Sequence, residues 1–180
     1  MSWNTHPEGK SMSDFAAPKI IFLDFEASSL SQDSWPIEIG LSWVEIDAVR
    51  TWSSLIRTDP SWDSTDWSPQ SAAVHRISVE NLRQAPTPQS VVAAFMTICS
   101  GAPLISDAPG FDQRWLDRLM HTQADARDLV VGDFHSAAFS SFHGYALDIV
   151  YESLERTRVP HRAGPDSARL ARAWLAGQKV

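Results

Sequence analysis

Residues 19–26 read KIIFLDFE, an apolar run of strand length that ends in two carboxylates. Asp24 and Glu26 stand two apart, so in a strand they point to one face of the sheet. Carboxylates there are costly to desolvate unless a partner or a cation meets them, and two on one face repel each other. The run therefore calls for a sheet whose first strand ends where water, a partner or a cation is at hand. An Asp-x-Glu pair alone is too common to identify a site.

The rest of the chain fits around that strand. Residues 37–46 and 51–58 read as two further strands, joined by a turn at 47–50 into an antiparallel hairpin. Residues 59–70 have loop composition, and 78–82 read as one short helical turn. Thr87 with Pro88 opens a helix that Gly101 stops near Ser100. A short strand at 103–106 and a Pro109-Gly110 turn lead into a helix at 111–122, with apolar positions 111, 115, 116, 119 and 120. A strand at 129–134 follows, then a mostly helical stretch at 136–158 that Gly144 interrupts. A last helix at 165–176 is opened by Pro165 and closed by Gly177. Three strands followed by mixed helices and strands predict an α/β fold whose sheet is not purely parallel. Residues 1–18 are polar and read as a tail, leaving one domain over 19–177.

Two aspartates repeat one arrangement. Asp112 begins a helix and shares a face with Trp115, Leu116 and Leu119; Asp166 follows Pro165 and shares a face with Leu170, Ala173 and Trp174. Either one alone is equally well read as a first-turn acid that complements the helix dipole. His161 stands five residues before Asp166.

Taken in order, these motifs resemble the DEDDh exonuclease superfamily, which includes RNase T, oligoribonuclease and the proofreading subunit of bacterial DNA polymerase III. The matching stretches are IIFLDFEASSL with PIEIG at 36–40, PLISDAPGFDQRWLDRL at 103–119 and HRAGPDSARLA at 161–171. His75-Arg-Ile-Ser78 also resembles a recurrent turn of that family. The resemblance implies an RNase H-like mixed β-sheet flanked by helices, and two Mg²⁺ or Mn²⁺ ions. Asp24 would bridge both ions, Glu26 and Asp166 would help hold the first, and Asp112 would act around the second. His161 would be the general base; Arg162 four residues before Asp166 indicates this version over a subclass with tyrosine there. Ala27 and Leu30 are carried over as neighbours of the substrate. The chain departs from the family at Ala27-Ser28-Ser29, where many members have threonines, and at Ala108, where many have asparagine.

The residue chemistry agrees with that implication. Phosphodiester hydrolysis needs an activated water and relief of charge on the leaving oxygen, which two cations supply together. Oxygen ligands suit Mg²⁺ or Mn²⁺, and no Cys/His spacing suits zinc. The expected activity is a metal-dependent 3′→5′ exonuclease that acts on single-stranded 3′ ends of DNA or RNA and releases nucleoside 5′-monophosphates. The alternatives are an oligoribonuclease acting on very short RNA, and a non-catalytic nucleic-acid-binding accessory protein on the same fold.

Composition bounds the partners. The net charge of −7 argues against a broad basic surface for duplex nucleic acid, while metal-binding carboxylates account for part of it. Residues 151–180 carry six Lys or Arg against three Asp or Glu, which could meet phosphates or merely face solvent. The single Cys99 excludes an internal disulfide and suits a cytoplasmic setting. No apolar window has the length of a membrane span. Of the eight tryptophans, Trp43, Trp52, Trp115 and Trp174 fall in regular elements and are expected in the core. Trp35, Trp62 and Trp67 fall in loops, and are read as platforms for single-stranded bases or as contacts in a homodimer.

Overall fold

The computed structural model describes residues 20–158 and 160–180, so the expected tail at 1–18 lies outside the described residues. Five strands form one mixed sheet in the order β3-β2-β1-β4-β5. They are β1 (Ile21–Ala27), β2 (Pro36–Glu45), β3 (Ala48–Leu55), β4 (Leu104–Ser106) and β5 (Val131–Asp133). β1, β2 and β3 run antiparallel in sequence, while β4 and β5 join parallel to β1. The hairpin is tighter than the sequence suggests. Glu45 pairs with Ala48, so only Ile46 and Asp47 make the turn, and Ile46 takes the left-handed conformation at φ 57°.

Alternation along β1 splits the molecule into two cores. Ile21, Leu23 and Phe25 face one side, where they pack with residues of α3 (Pro88–Cys99) and α4 (Pro109–Met120). Phe22 faces the other side, toward α5 (Phe134–Ser141), α6 (Tyr145–Arg156) and α7 (Ala163–Gln178). Asp24 and Glu26 share the face of Phe22, so they look toward α7. A register shift between Glu26 and Ala27 ends the regular pairing with β2 where the second acid sits.

Several boundaries differ from the sequence reading. Residues 59–70 are not all loop: Ser68 caps a helix α1 (Pro69–His75), its side chain accepting from the Ser71 amide. That helix buries only His75, so it carries no apolar periodicity to read. α2 (Val79–Arg83) begins at Ser78, which forms a capping box with Asn81. α4 starts at Pro109, not Phe111, and Pro109-Gly110 is its first turn. α7 starts at Ala163 and runs through Gly177, where the missing Cβ makes room for α6: a Cβ there would come within 2.5 Å of Val150. Among the described residues no helix is long and apolar enough to cross a membrane.

Candidate active site

The C-terminal end of β1 opens into a cleft of about 430 Å³ that Asp24, Glu26, Asp112, His161 and Asp166 all line, together with Ala27 and Leu30. β1 supplies the first two acids. Asp112 comes from the first turn of α4 and Asp166 from the first turn of α7. The two helices approach β1 from its opposite faces, and their N-terminal ends meet over the strand end.

One carboxylate oxygen from each of Asp24, Glu26 and Asp166 falls within a 4.8 Å span of the others. Asp112 stands outside this tight set. Its Oδ2 accepts a hydrogen bond from Ser106 at the end of β4, and its carboxylate also accepts from the Phe25 amide. Asp166 accepts from the Arg162 amide at 3.0 Å through Oδ2, while its buried Oδ1 has no hydrogen-bond partner. A buried carboxylate oxygen without a hydrogen-bond partner, on a residue grouped with two other acids, is one that a cation could meet.

Burial raises Asp24 well above the usual carboxylate range, with further increments from Asp112, Glu26, Asp166 and Asp107. Glu26 is pushed up to about 8, first by burial, then by Asp166 and Glu38; Arg162 partly offsets them. Burial raises Asp112 to about 7 against the lowering hydrogen bond from Ser106. Asp166 is raised by burial, and the amide of Arg162 pulls it back. A divalent cation would relieve all four, and all-oxygen donors suit Mg²⁺ or Mn²⁺.

His161 is exposed at the rim, in a left-handed backbone conformation (φ 56°) two residues before α7. Its neighbour Arg162 is held by Glu38 of β2, and Glu38 Oε2 also accepts from the Ala163 amide at 3.0 Å. Gly40 lies directly beneath: a Cβ there would come within 2.0 Å of the Ala163 carbonyl oxygen. The segment PIEIG is thus the seat on which the start of α7 rests.

Trp35 is corrected by the structure. Its ring is 2% exposed, stacks on Trp62 at 5.9 Å and donates from Nε1 to the Asp63 carbonyl. Trp67 packs against the same ring at 5.9 Å. The three loop tryptophans form a cluster under the 59–68 segment, and Trp35, wholly inside it, is not an open platform for bases. Burial of Trp35 and Trp62 within one chain removes these two rings as contacts in a homodimer. Leu30, by contrast, is 67% exposed at the cleft mouth, whereas Ala27 is almost fully buried. The sequence reading missed Phe111, Val74 and Asp107 as cleft residues. Phe111 precedes Asp112 on the edge of the helical stripe, and its 41% exposure marks it as lining a cleft and not a core. Val74 sits on the unforeseen helix α1.

No family model matches the chain, and no curated protein matches it in sequence. Solved structures do match. The nuclease domain of 3′hExo, a DEDDh family member bound to rAMP, superposes with a TM-score of 0.65 at 17% identity, over 93% of this chain and 94% of that one. Exonuclease X in complex with 5′-overhanging duplex DNA gives 0.54 at 17% identity, over 87% and 89%. E. coli exonuclease I with a dA16 oligonucleotide gives 0.59 at 13% identity, over 87% of this chain and 40% of that one. The RNase H-like fold expected from the sequence is therefore the fold of the chain.

Proposed function

We propose that this chain is a DEDDh-type, metal-dependent 3′→5′ exonuclease, with its domain over 19–177, that hydrolyses single-stranded 3′ ends and releases nucleoside 5′-monophosphates. The observation that carries this reading is the meeting of Asp24, Glu26 and Asp166 within 4.8 Å, where Asp166 also has a buried oxygen, Oδ1, without a hydrogen-bond partner. A fold shared with 3′-exonucleases supports it. So do the ordered motifs that bring each acid to the cleft.

In this reading Asp24, Glu26 and Asp166 would hold the cations together with Asp112, all from the same cleft. When bound, the two cations stabilise charge on the phosphate oxygens and make water more acidic. His161 takes the proton of the attacking water on a ring nitrogen, from a rim position open to solvent. Glu38 and Gly40 hold the backbone from which His161 and Asp166 project. The exposed Leu30 at the mouth meets the terminal nucleotide, and the nearly buried Ala27 only shapes the wall. Cys99 is buried and its thiol is pushed up to about 12 by that burial, which suits an unreactive thiol in the cytoplasm.

The test uses single-stranded DNA and RNA oligonucleotides labelled at the 5′ end, and a closed circular single strand. Ladders that shorten from the 3′ end, monophosphate release, loss with EDTA and recovery with Mn²⁺ are expected, and the circle should resist. Internal cutting of the circle at a comparable rate would make the chain an endonuclease. Activity that survives exhaustive EDTA dialysis would remove the cations from the reading.

A further inference from the structure

A second cavity, about 630 Å³ in volume, lies beside α4, with Trp62 and Ser61 in its other wall. Gly110, Arg114, Asp117 and Arg118 of α4, and His121 just after it, line it at helical spacing. A cavity of this size holds a nucleotide-sized group.

The two arginines are not equivalent. Arg118 is engaged: its guanidinium donates to the carbonyl oxygens of Asp33 and Gln32, tying the loop after β1 to α4. Arg114 is not. Its terminal nitrogens have only long contacts of 3.4 Å, to Gln32 Oε1 and Ser34 Oγ, and its buried Nε has no partner. Among the described residues no carboxylate pairs with it. The one acid lining the cavity, Asp117, accepts instead from Gln113 at 2.8 Å.

Arg114 also joins this cavity to the acidic cleft. Its guanidinium carbon lies 5.2 Å from the Phe111 ring centre and 5.6 Å from that of Trp115. Both rings line the cleft. One wall of stacked groups therefore runs from the carboxylates, over Phe111 and Trp115, to a guanidinium facing a second cavity. Stacking on the rings fixes its plane, and a fixed, unpaired guanidinium is suited to two phosphate oxygens at once.

We propose that the cavity beside α4 receives the single strand on the 5′ side of the nucleotide being removed, and that Arg114 binds a backbone phosphate there. This rests on the exonuclease reading of the cleft. The strand leaves the acids across the Phe111–Trp115 wall and enters the cavity, with its phosphate at the Arg114 end and away from Asp117.

The experiment compares an octanucleotide with a dinucleotide, each as DNA and as RNA. Anisotropy in EDTA reads binding, and Mn²⁺-supported turnover reads kcat and KM, for the wild type, Arg114→Gln and Arg114→Lys. Arg114→Gln keeps a side chain over the rings without the charge. It should weaken octanucleotide binding about tenfold and leave the dinucleotide within about twofold. The slope of log affinity against log salt for the octanucleotide should fall by about 0.7, the value for one phosphate contact on a single strand. Arg114→Lys should restore the salt slope and part of the affinity. Equal loss on both substrates would overturn the proposal and make Arg114 a prop for the cleft wall, as would no loss on either. A wild type that turns over neither length would instead bring down the exonuclease reading, and this proposal with it.

Discussion

Both carboxylate oxygens of Glu38 hold the guanidinium of Arg162, Oε2 accepting from Nε at 2.8 Å and Oε1 from Nη2 at 2.6 Å. Glu38 is 3% exposed at the centre of the antiparallel half of the sheet, while Arg162 is the residue between His161 and the start of α7. The pair fixes a left-handed connector that a loop of this length would not hold by itself.

Glu38→Ala should therefore act on the connector. It strands the Ala163 amide and leaves Arg162 without its partner, at a cost of about 2 kcal/mol, since the arginine is partly solvated. kcat should fall by about tenfold or more, and Mn²⁺ affinity, measured by calorimetry, should weaken as well, because Asp166 projects from the same connector. Arg162→Ala should show the same kinetic signature, and the double variant should lose less than the two losses added. Full additivity would mean that the pair does not act as a unit.

The acids make stability depend on pH and metal together. Glu26 has an ordinary value of 4.5 and a folded value of about 8. A carboxyl raised on folding holds its proton more tightly in the folded state. Its contribution favours folding below about pH 4.5 and is lost as pH rises through about 8. Metal-free protein should thus lose thermal stability between pH 5 and 8 from this cluster. Saturating Mg²⁺ or Mn²⁺ should raise Tm, by on the order of 5 °C more at pH 8 than at pH 6. A metal effect on Tm that is equal at both values would contradict the cluster as the binding site.

His161→Ala should lower kcat by about 10²–10⁴-fold, the usual worth of a positioned acid–base group. The four carboxylates are untouched, so metal-dependent stabilisation should persist. The acidic limb of the pH–rate profile should change with the substitution. Near wild-type kcat with an unchanged acidic limb would leave the reaction without a protein base.

Trp35 offers a test of core against contact. Trp35→Ala should cost about 3–5 kcal/mol in stability, because it empties a buried site between Trp62 and the β1–β2 connection. Trp35→Phe should fold and keep KM within about twofold, since the ring does not reach the cleft. A large rise in KM at unchanged Tm would return Trp35 to the substrate.

The fold was legible where periodicity and caps agree. β1 and α3 follow the apolar pattern and the Thr87-Pro88 cap almost residue for residue. The convergence of Asp24, Glu26, Asp112 and Asp166 was legible only through the order of the motifs, since each acid alone has an ordinary reading. What stayed hidden depends on contacts distant in sequence. Seven residues of α1 bury one side chain, so nothing local marks them as helix. Gly177 carries the usual sign of a helix end, yet it is there to let α6 come close. Trp35 looks like a loop residue until the 59–68 segment folds over it, and the partner that covers it is nearly thirty residues away. The open Arg114 was invisible for the opposite reason: its importance is a missing partner, which no pattern of residues displays.

The seat made by Gly40 and Glu38 for α7 also orders events during synthesis. Residues 24 and 26 leave the ribosome early, but Asp166 belongs to the last of the described elements, and chains fold from their N-terminal side as they emerge. Until α7 settles on β2, the emerging polypeptide holds Asp24 and Glu26 on β1 and Asp112 on α4, without Asp166. In the exonuclease reading the site is complete only once α7 has docked on β2, so a chain with α7 undocked would lack both Asp166 and His161 at the cleft.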